Sequence, residues 1–130
     1  MKRTLFFCIL AIMAIALPAS LSAGGKKAKA TFSEYRYDFG NVKENGGLVS
    51  HEFVFTNTGD GNLLIVDATA TCGCTRPEYS KQPIAPGKKG KVKVTYNPTG
   101  RPGPIDRTVT VKTNGSPKKV RLKIVGNVIP

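Results

Sequence analysis

Beyond Thr31, apolar and polar residues alternate with a period of two, and the alternating runs are separated by clusters of Gly, Pro, Asn and Asp. That is the pattern of strands with one face in a core; no segment carries the 3.6-residue spacing of an amphipathic helix. The first strands are predicted over Ala30–Ser33 and Tyr35–Val42, closed by Asn45-Gly46-Gly47, whose Asn-Gly pair favours a tight hairpin. In the run from Val49 to Asn57, Val49, Phe53 and Phe55 share the inward face, and His51 has the same parity. Asn57 to Asn62 is a turn by composition, and Leu63 to Ala70 forms an apolar strand that delivers the chain into Cys72. Pro77, Pro83 and Pro86-Gly87 predict an irregular connection from Arg76 to Gly90. Val92, Val94 and Tyr96 then point inward while Lys91, Lys93 and Thr95 point out; after the loop from Asn97 to Pro104, Val109 and Val111 mark one strand. The turn Asn114-Gly115-Ser116-Pro117 leads into Val120, Leu122 and Ile124.

Seven or eight short strands in roughly 100 residues predict an all-β, immunoglobulin-like β-sandwich of antiparallel strands, with an open barrel as the competing fold. The chain has no Trp, and two of its cysteines are near neighbours. Its core is therefore expected to rest on aliphatic and Phe packing rather than on a disulfide between distant strands.

The 130 residues allow a single domain. The first 23 read as a secretory signal peptide: Lys2 and Arg3, an apolar run from Leu5 to Leu17, and the small-residue stretch Pro18-Ala19-Ser20-Leu21-Ser22-Ala23. That apolar run, about 13 residues, is short of the roughly 20 that a membrane-spanning helix needs. Cys8 lies inside it and leaves with it. Residues 24–29, Gly-Gly-Lys-Lys-Ala-Lys, are expected to form a flexible basic leader, and residues 30–130 the domain. Cleavage after Ala23 takes 20 Lys and Arg to 18, against 8 Asp and Glu, so the net charge falls from +12 to +10. The expected location is the periplasm or the cell exterior, with no integral membrane segment after cleavage.

Several motifs run in a set order: Tyr37-Asp38-Phe39-Gly40-Asn41-Val42, Phe53-Val54-Phe55-Thr56-Asn57-Thr58-Gly59, Thr71-Cys72-Gly73-Cys74-Thr75-Arg76-Pro77, Pro83-Ile84-Ala85-Pro86-Gly87 and Val94-Thr95-Tyr96-Asn97. In this order they resemble the bacterial domain-of-unknown-function family 1573, over nearly all of the chain beyond the leader. The resemblance implies an exported bacterial protein with an immunoglobulin-like fold, akin to major sperm protein and Hydin-type scaffold domains, and no established activity. Many members of that family look like lipoproteins; this sequence has no cysteine at the cleavage site, which favours release from the membrane.

Chemistry, if any, begins at Cys72-Gly73-Cys74. In an extended strand, residues i and i+2 stand about 6.6 Å apart on one side. A disulfide needs Cβ atoms at about 3.5–4.5 Å, so bridging demands a sharp bend, which the missing side chain of Gly73 permits. A three-residue ring contributes about 1.6 kcal/mol by the chain-entropy relation, less than distorted geometry can store, which suits redox exchange better than a staple. As a metal site, two thiolates suit a soft ion such as Cu(I); a structural zinc wants four ligands, and His51 is the only histidine. The alternative to both is inert packing at a sheet end. Nucleophilic catalysis ranks below these, since no base is identified beside either thiol.

The outward parity of Lys91, Lys93, Lys112, Arg121 and Lys123 predicts a basic, anion-binding outer face if their strands share a sheet. The alternative is that these residues keep the sheets soluble. Nucleic acid is not the expected partner, given the expected export and the lack of interleaved stacking aromatics beyond Tyr96. The sequence therefore reads as a non-enzymatic binding or scaffolding module of the bacterial envelope, without a cofactor, its partner a protein or an anionic envelope polymer. The alternative is a thiol redox or copper-binding protein.

Overall fold

The computed structural model describes residues 26–130. Eight strands follow in order: β1 (Ala30–Phe32), β2 (Arg36–Lys43), β3 (Val49–Asn57), β4 (Ile65–Ala70), β5 (Thr75–Tyr79), β6 (Lys89–Tyr96), β7 (Gly103–Thr113) and β8 (Lys119–Ile129). They form two four-stranded sheets, β1-β3-β6-β5 (sheet A) and β2-β8-β7-β4 (sheet B). All pairings are antiparallel except β2 with β8. The predicted β-sandwich is the fold observed. Among the described residues no helix is long and apolar enough to cross a membrane.

Period two becomes burial directly. Phe53 and Phe55 of β3 and Val92, Val94 and Tyr96 of β6 are buried from sheet A; Val109 and Val111 of β7 and Leu122 and Ile124 of β8 face them from sheet B. Each such side chain contributes roughly 1.5–3 kcal/mol by leaving water. The layers thus close over aliphatic and Phe side chains, as the composition predicts.

Three expectations are corrected. Asn45-Gly46-Gly47 does not close a hairpin: β2 lies in sheet B, parallel to β8, and β3 lies in sheet A, so this turn hands the chain from one layer to the other. The stretch from Arg76 to Gly90 is not wholly irregular, because β5 pairs with β6 from Thr75–Tyr96 to Tyr79–Val92, and β6 begins at Lys89. Pro77 fits there because β5 is an edge strand, with one side free of any partner that needs its N–H.

The third concerns the leader. Residues 1–25, with the predicted signal segment, lie outside the described residues, but residues 26–29 are docked rather than free. Ala28 is buried, and its carbonyl accepts the Ser116 N–H at 3.0 Å. The Lys27 carbonyl accepts the Asp60 N–H at 2.9 Å, and the Lys27 N–H donates to Asp60 Oδ1 at 2.8 Å. Two glycines make this slot: a Cβ on Gly59 would fall 2.2 Å from the Lys27 carbonyl oxygen, and one on Gly115 would fall 2.4 Å from that of Ala28. Asn57, fully buried, fastens it: Nδ2 donates to the carbonyls of Gly61 and Ile84, both at 2.8 Å, and Oδ1 accepts from Lys29 N and Gly59 N. The Asn-Thr-Gly motif is therefore a clamp on the N-terminal segment.

Candidate functional site

β4 carries the chain to the end of sheet B, and residues 71–74 cross to sheet A, where β5 starts at Thr75. At this crossing Cys72 and Cys74 are joined as a disulfide, with their Cα atoms 5.2 Å apart. The Cys74 N–H donates to Cys72 Sγ at 3.0 Å, and Cys74 Sγ lies 3.5 Å from Thr75 Oγ1. Cys74 is buried; Cys72 is partly exposed while packing on the core. A Cβ added at Gly73 meets nothing within 4 Å, so the bend that its missing side chain permits has room for a side chain as well.

Beside the crossing, the outer face of sheet A holds a shallow groove of about 450 Å³, lined by Leu48, Ser50, Gly73, Cys74, Arg76 and Lys93 among others. His51 does not join the cysteines. Its Nε2 lies 2.6 Å from Glu34 Oε2, its ring stacks on Tyr37 at 3.6 Å, and Phe53 meets it edge-on. Among the described residues no three His, Cys, Asp or Glu side chains group to hold a metal ion. Among the described residues the only sulfur donors are Cys72 and Cys74, and they are bonded to each other.

One half-buried cation escapes sequence reasoning. Arg107 has inward parity on β7, level with Ile124 of β8, and its Nε is buried without a hydrogen-bond partner. It stands two residues beyond Val109, the partner of Ala70, on the side where β4 leaves toward Cys72.

The five predicted basic residues do not form one face. Lys91 and Lys93 lie on β6 in sheet A, whereas Lys112 on β7 and Arg121 and Lys123 on β8 lie in sheet B, on the opposite side of the sandwich. Strand parity is a local property; sheet membership depends on the topology. In sheet A, Lys93 stands between Glu52 and Glu78 in the register, and Lys91 Nζ lies 3.2 Å from Glu52 Oε2. In sheet B, two residues outside the predicted set join it: Arg36 of β2 pairs with Lys123, and Lys119 of β8 pairs with Lys112. The alternation of Lys119 with Arg121 and Lys123 was open to the sequence; the parallel neighbour Arg36 was not.

With this geometry in place, the relatives can be compared. Residues 30–128, from the first residue of β1 to the penultimate one of β8, match the family described as Protein of unknown function (DUF1573). The chain belongs to this family. No curated protein sequence matches this DUF1573 chain. Its fold resembles a solved protein of unknown function from Porphyromonas gingivalis W83, with TM-score 0.69 and 16% identity over 83% of this chain. The chain spans half the length of that protein. It also resembles the ASH/PapD-like domain 7 of human CEP192, with TM-score 0.65 and 13% identity, covering 92% of this chain and 98% of that domain. A third likeness is to VesC, a secreted serine protease of Vibrio cholerae, with TM-score 0.55, 14% identity and 78% of this chain matched to 23% of that one. At these identities the likenesses show the fold alone, an immunoglobulin-like β-sandwich.

Proposed function

We propose that this DUF1573 domain is an exported, non-enzymatic binding or scaffolding module of the bacterial cell envelope, whose partner is a protein or an anionic envelope polymer. The observation that carries this reading is the distribution of polar chemistry. Charged residues occupy two open sheet faces, the groove at the Cys-Gly-Cys end is shallow, and the only histidine is engaged with Glu34 and Tyr37 instead of a hydroxyl or thiol. Such a molecule offers surfaces rather than a sequestered pocket. Export is supported by the apolar N-terminal run and by a disulfide, which persists in oxidising compartments.

The test is capture from envelope extracts by the immobilised, processed protein at low and high salt. A saturable component recovered by the folded protein and not by a heat-denatured control supports the reading; none at either salt contradicts it. Salt-sensitive capture assigns the contact to the charged faces, and salt-resistant capture to an apolar edge or loop.

A second reading, thiol redox or copper handling, is favoured by one observation: the bonded pair has its Cys72 member partly exposed at a chain crossing. Intact mass of the protein taken from cells under acid, with and without alkylation, tests it. A mixture of thiol and disulfide forms, or retained copper, supports redox or metal use; a uniform disulfide that resists mild reductant supports a staple.

A further inference from the structure

We infer that the outer face of sheet B binds a linear acidic polysaccharide, whose carboxylates relieve like charges that the sheet sets side by side. The inference rests on the binding-module reading and names a partner class for it.

The register puts the residues in three rows. Arg36, Lys123 and Thr108 form one; Arg121, Thr110 and Thr69 the next; Lys119, Lys112 and Asp67 the last. All five cations are exposed. Two adjacent pairs, Arg36 with Lys123 and Lys112 with Lys119, set like charges on neighbouring strands, an arrangement that costs stability. Only one of the five is neutralised locally: Lys123 Nζ lies 3.2 Å from Asp106 Oδ1. Among the described residues, Arg36, Lys112, Lys119 and Arg121 have no carboxylate within 4.0 Å.

The face also holds acids. Asp38 and Asp106 flank Val125 at one end, where Asp38 Oδ1 accepts the Gly40 N–H at 2.7 Å; Asp67, at the opposite corner, accepts the Ala68 N–H at 2.9 Å. Lys112 and Lys119 share the row of Asp67, and Arg36, Arg121 and Lys123 lie between that row and the Asp38–Asp106 end.

Rows two residues apart on a strand are about 6.6 Å apart and neighbouring strands about 4.8 Å, so the cations span about 13 Å by 10 Å. None of them lines any of the three best-formed concavities among the described residues, and the register spreads the charge along a surface instead of converging it on a small ion. An extended ligand with repeated negative charge fits that distribution. The three rows contain no aromatic side chain for base stacking and no apolar side chain for insertion into lipid. Thr108 and Thr110 instead stand beside Lys123 and Arg121, with Thr69 next to Thr110, and their hydroxyls are partners suited to sugar hydroxyls.

The experiment is titration of the processed protein with polygalacturonate, read by calorimetry, for the wild type and two double variants that change net charge equally. Arg36→Glu with Arg121→Glu alters sheet B, and Lys91→Glu with Lys93→Glu alters sheet A. The sheet B variant is expected to lose about tenfold or more in affinity near 0.15 M salt and to show a shallower dependence on salt, while the sheet A variant stays within about threefold. Circular dichroism checks folding, and Arg36→Gln with Arg121→Gln provides a milder pair that must weaken binding in the same direction. Equal losses from both faces would show that net charge alone drives binding and would overturn the inference. So would no binding of polygalacturonate, or binding of polyphosphate or anionic vesicles in its place. Capture of an envelope component by a protein that ignores polygalacturonate would leave the binding-module reading standing and remove this inference alone.

Discussion

The two outer faces of the sandwich use the same residue types to opposite effect. On sheet A, Lys93 stands between Glu52 and Glu78, and Lys91 meets Glu52 at 3.2 Å, so the face carries its own counter-charges. On sheet B, Arg36 neighbours Lys123 and Lys119 neighbours Lys112. A face that alternates charge needs nothing from outside to be stable in water; one that sets like beside like is improved by an anion. Net charge alone could not have told them apart.

The most damaging change destroys both faces together. Asn57→Ala removes the buried amide that holds Lys29, Gly59, Gly61 and Ile84, leaving backbone groups unpaired, and is expected to cost about 3 kcal/mol in denaturant unfolding. A loss under about 1 kcal/mol would mean that the clamp on the N-terminal segment is dispensable.

Next in size is damage confined to sheet A. A Cβ on Gly90 would fall 2.5 Å from Cζ of Phe55, so Gly90→Ala is expected to destabilise by about 1–3 kcal/mol through overpacking. Polyanion binding should survive at temperatures where the protein stays folded, and its loss would tie the two faces together.

Single charge reversals should sharpen the contrast by their signs. Lys93→Glu sets three carboxylates in one row and is expected to destabilise by about 0.5 kcal/mol, whereas Lys119→Glu, opposite Lys112, is expected to stabilise by a similar or smaller amount. The same sign for both in thermal melts would refute the described difference. The smallest effect is that of salt: raising NaCl from about 0.05 to 0.5 M screens the like pairs and should stabilise the wild type by a few tenths of a kcal/mol, and Lys119→Glu by less.

Much of the fold was legible because parity along a strand is local. Val92, Val94 and Tyr96, or Leu122 and Ile124, announce an inward face without reference to any other segment. What failed was non-local. Asn45-Gly46-Gly47 has hairpin chemistry, yet β2 leaves it for the other sheet, and Pro77 hid an edge strand that accepts proline. The basic leader Lys26-Lys27-Ala28-Lys29 looked solvated because its slot is built by Gly59 and Gly115, far along the chain. The cysteine pair was found by its spacing alone. The outward parity of the basic residues is local and holds, while the condition for a single basic face, that their strands share a sheet, is not met, since the sandwich divides them between two.

Backbone amide shifts of the ¹⁵N-labelled processed protein, followed through a titration with polygalacturonate, test the central claim most directly. Shifts concentrated on Arg36, Thr110, Lys112, Lys119, Arg121 and Lys123, with Lys91, Lys93 and Arg76 unmoved, are predicted. Perturbation centred on β6 and β5, or spread evenly over both sheets, would contradict it.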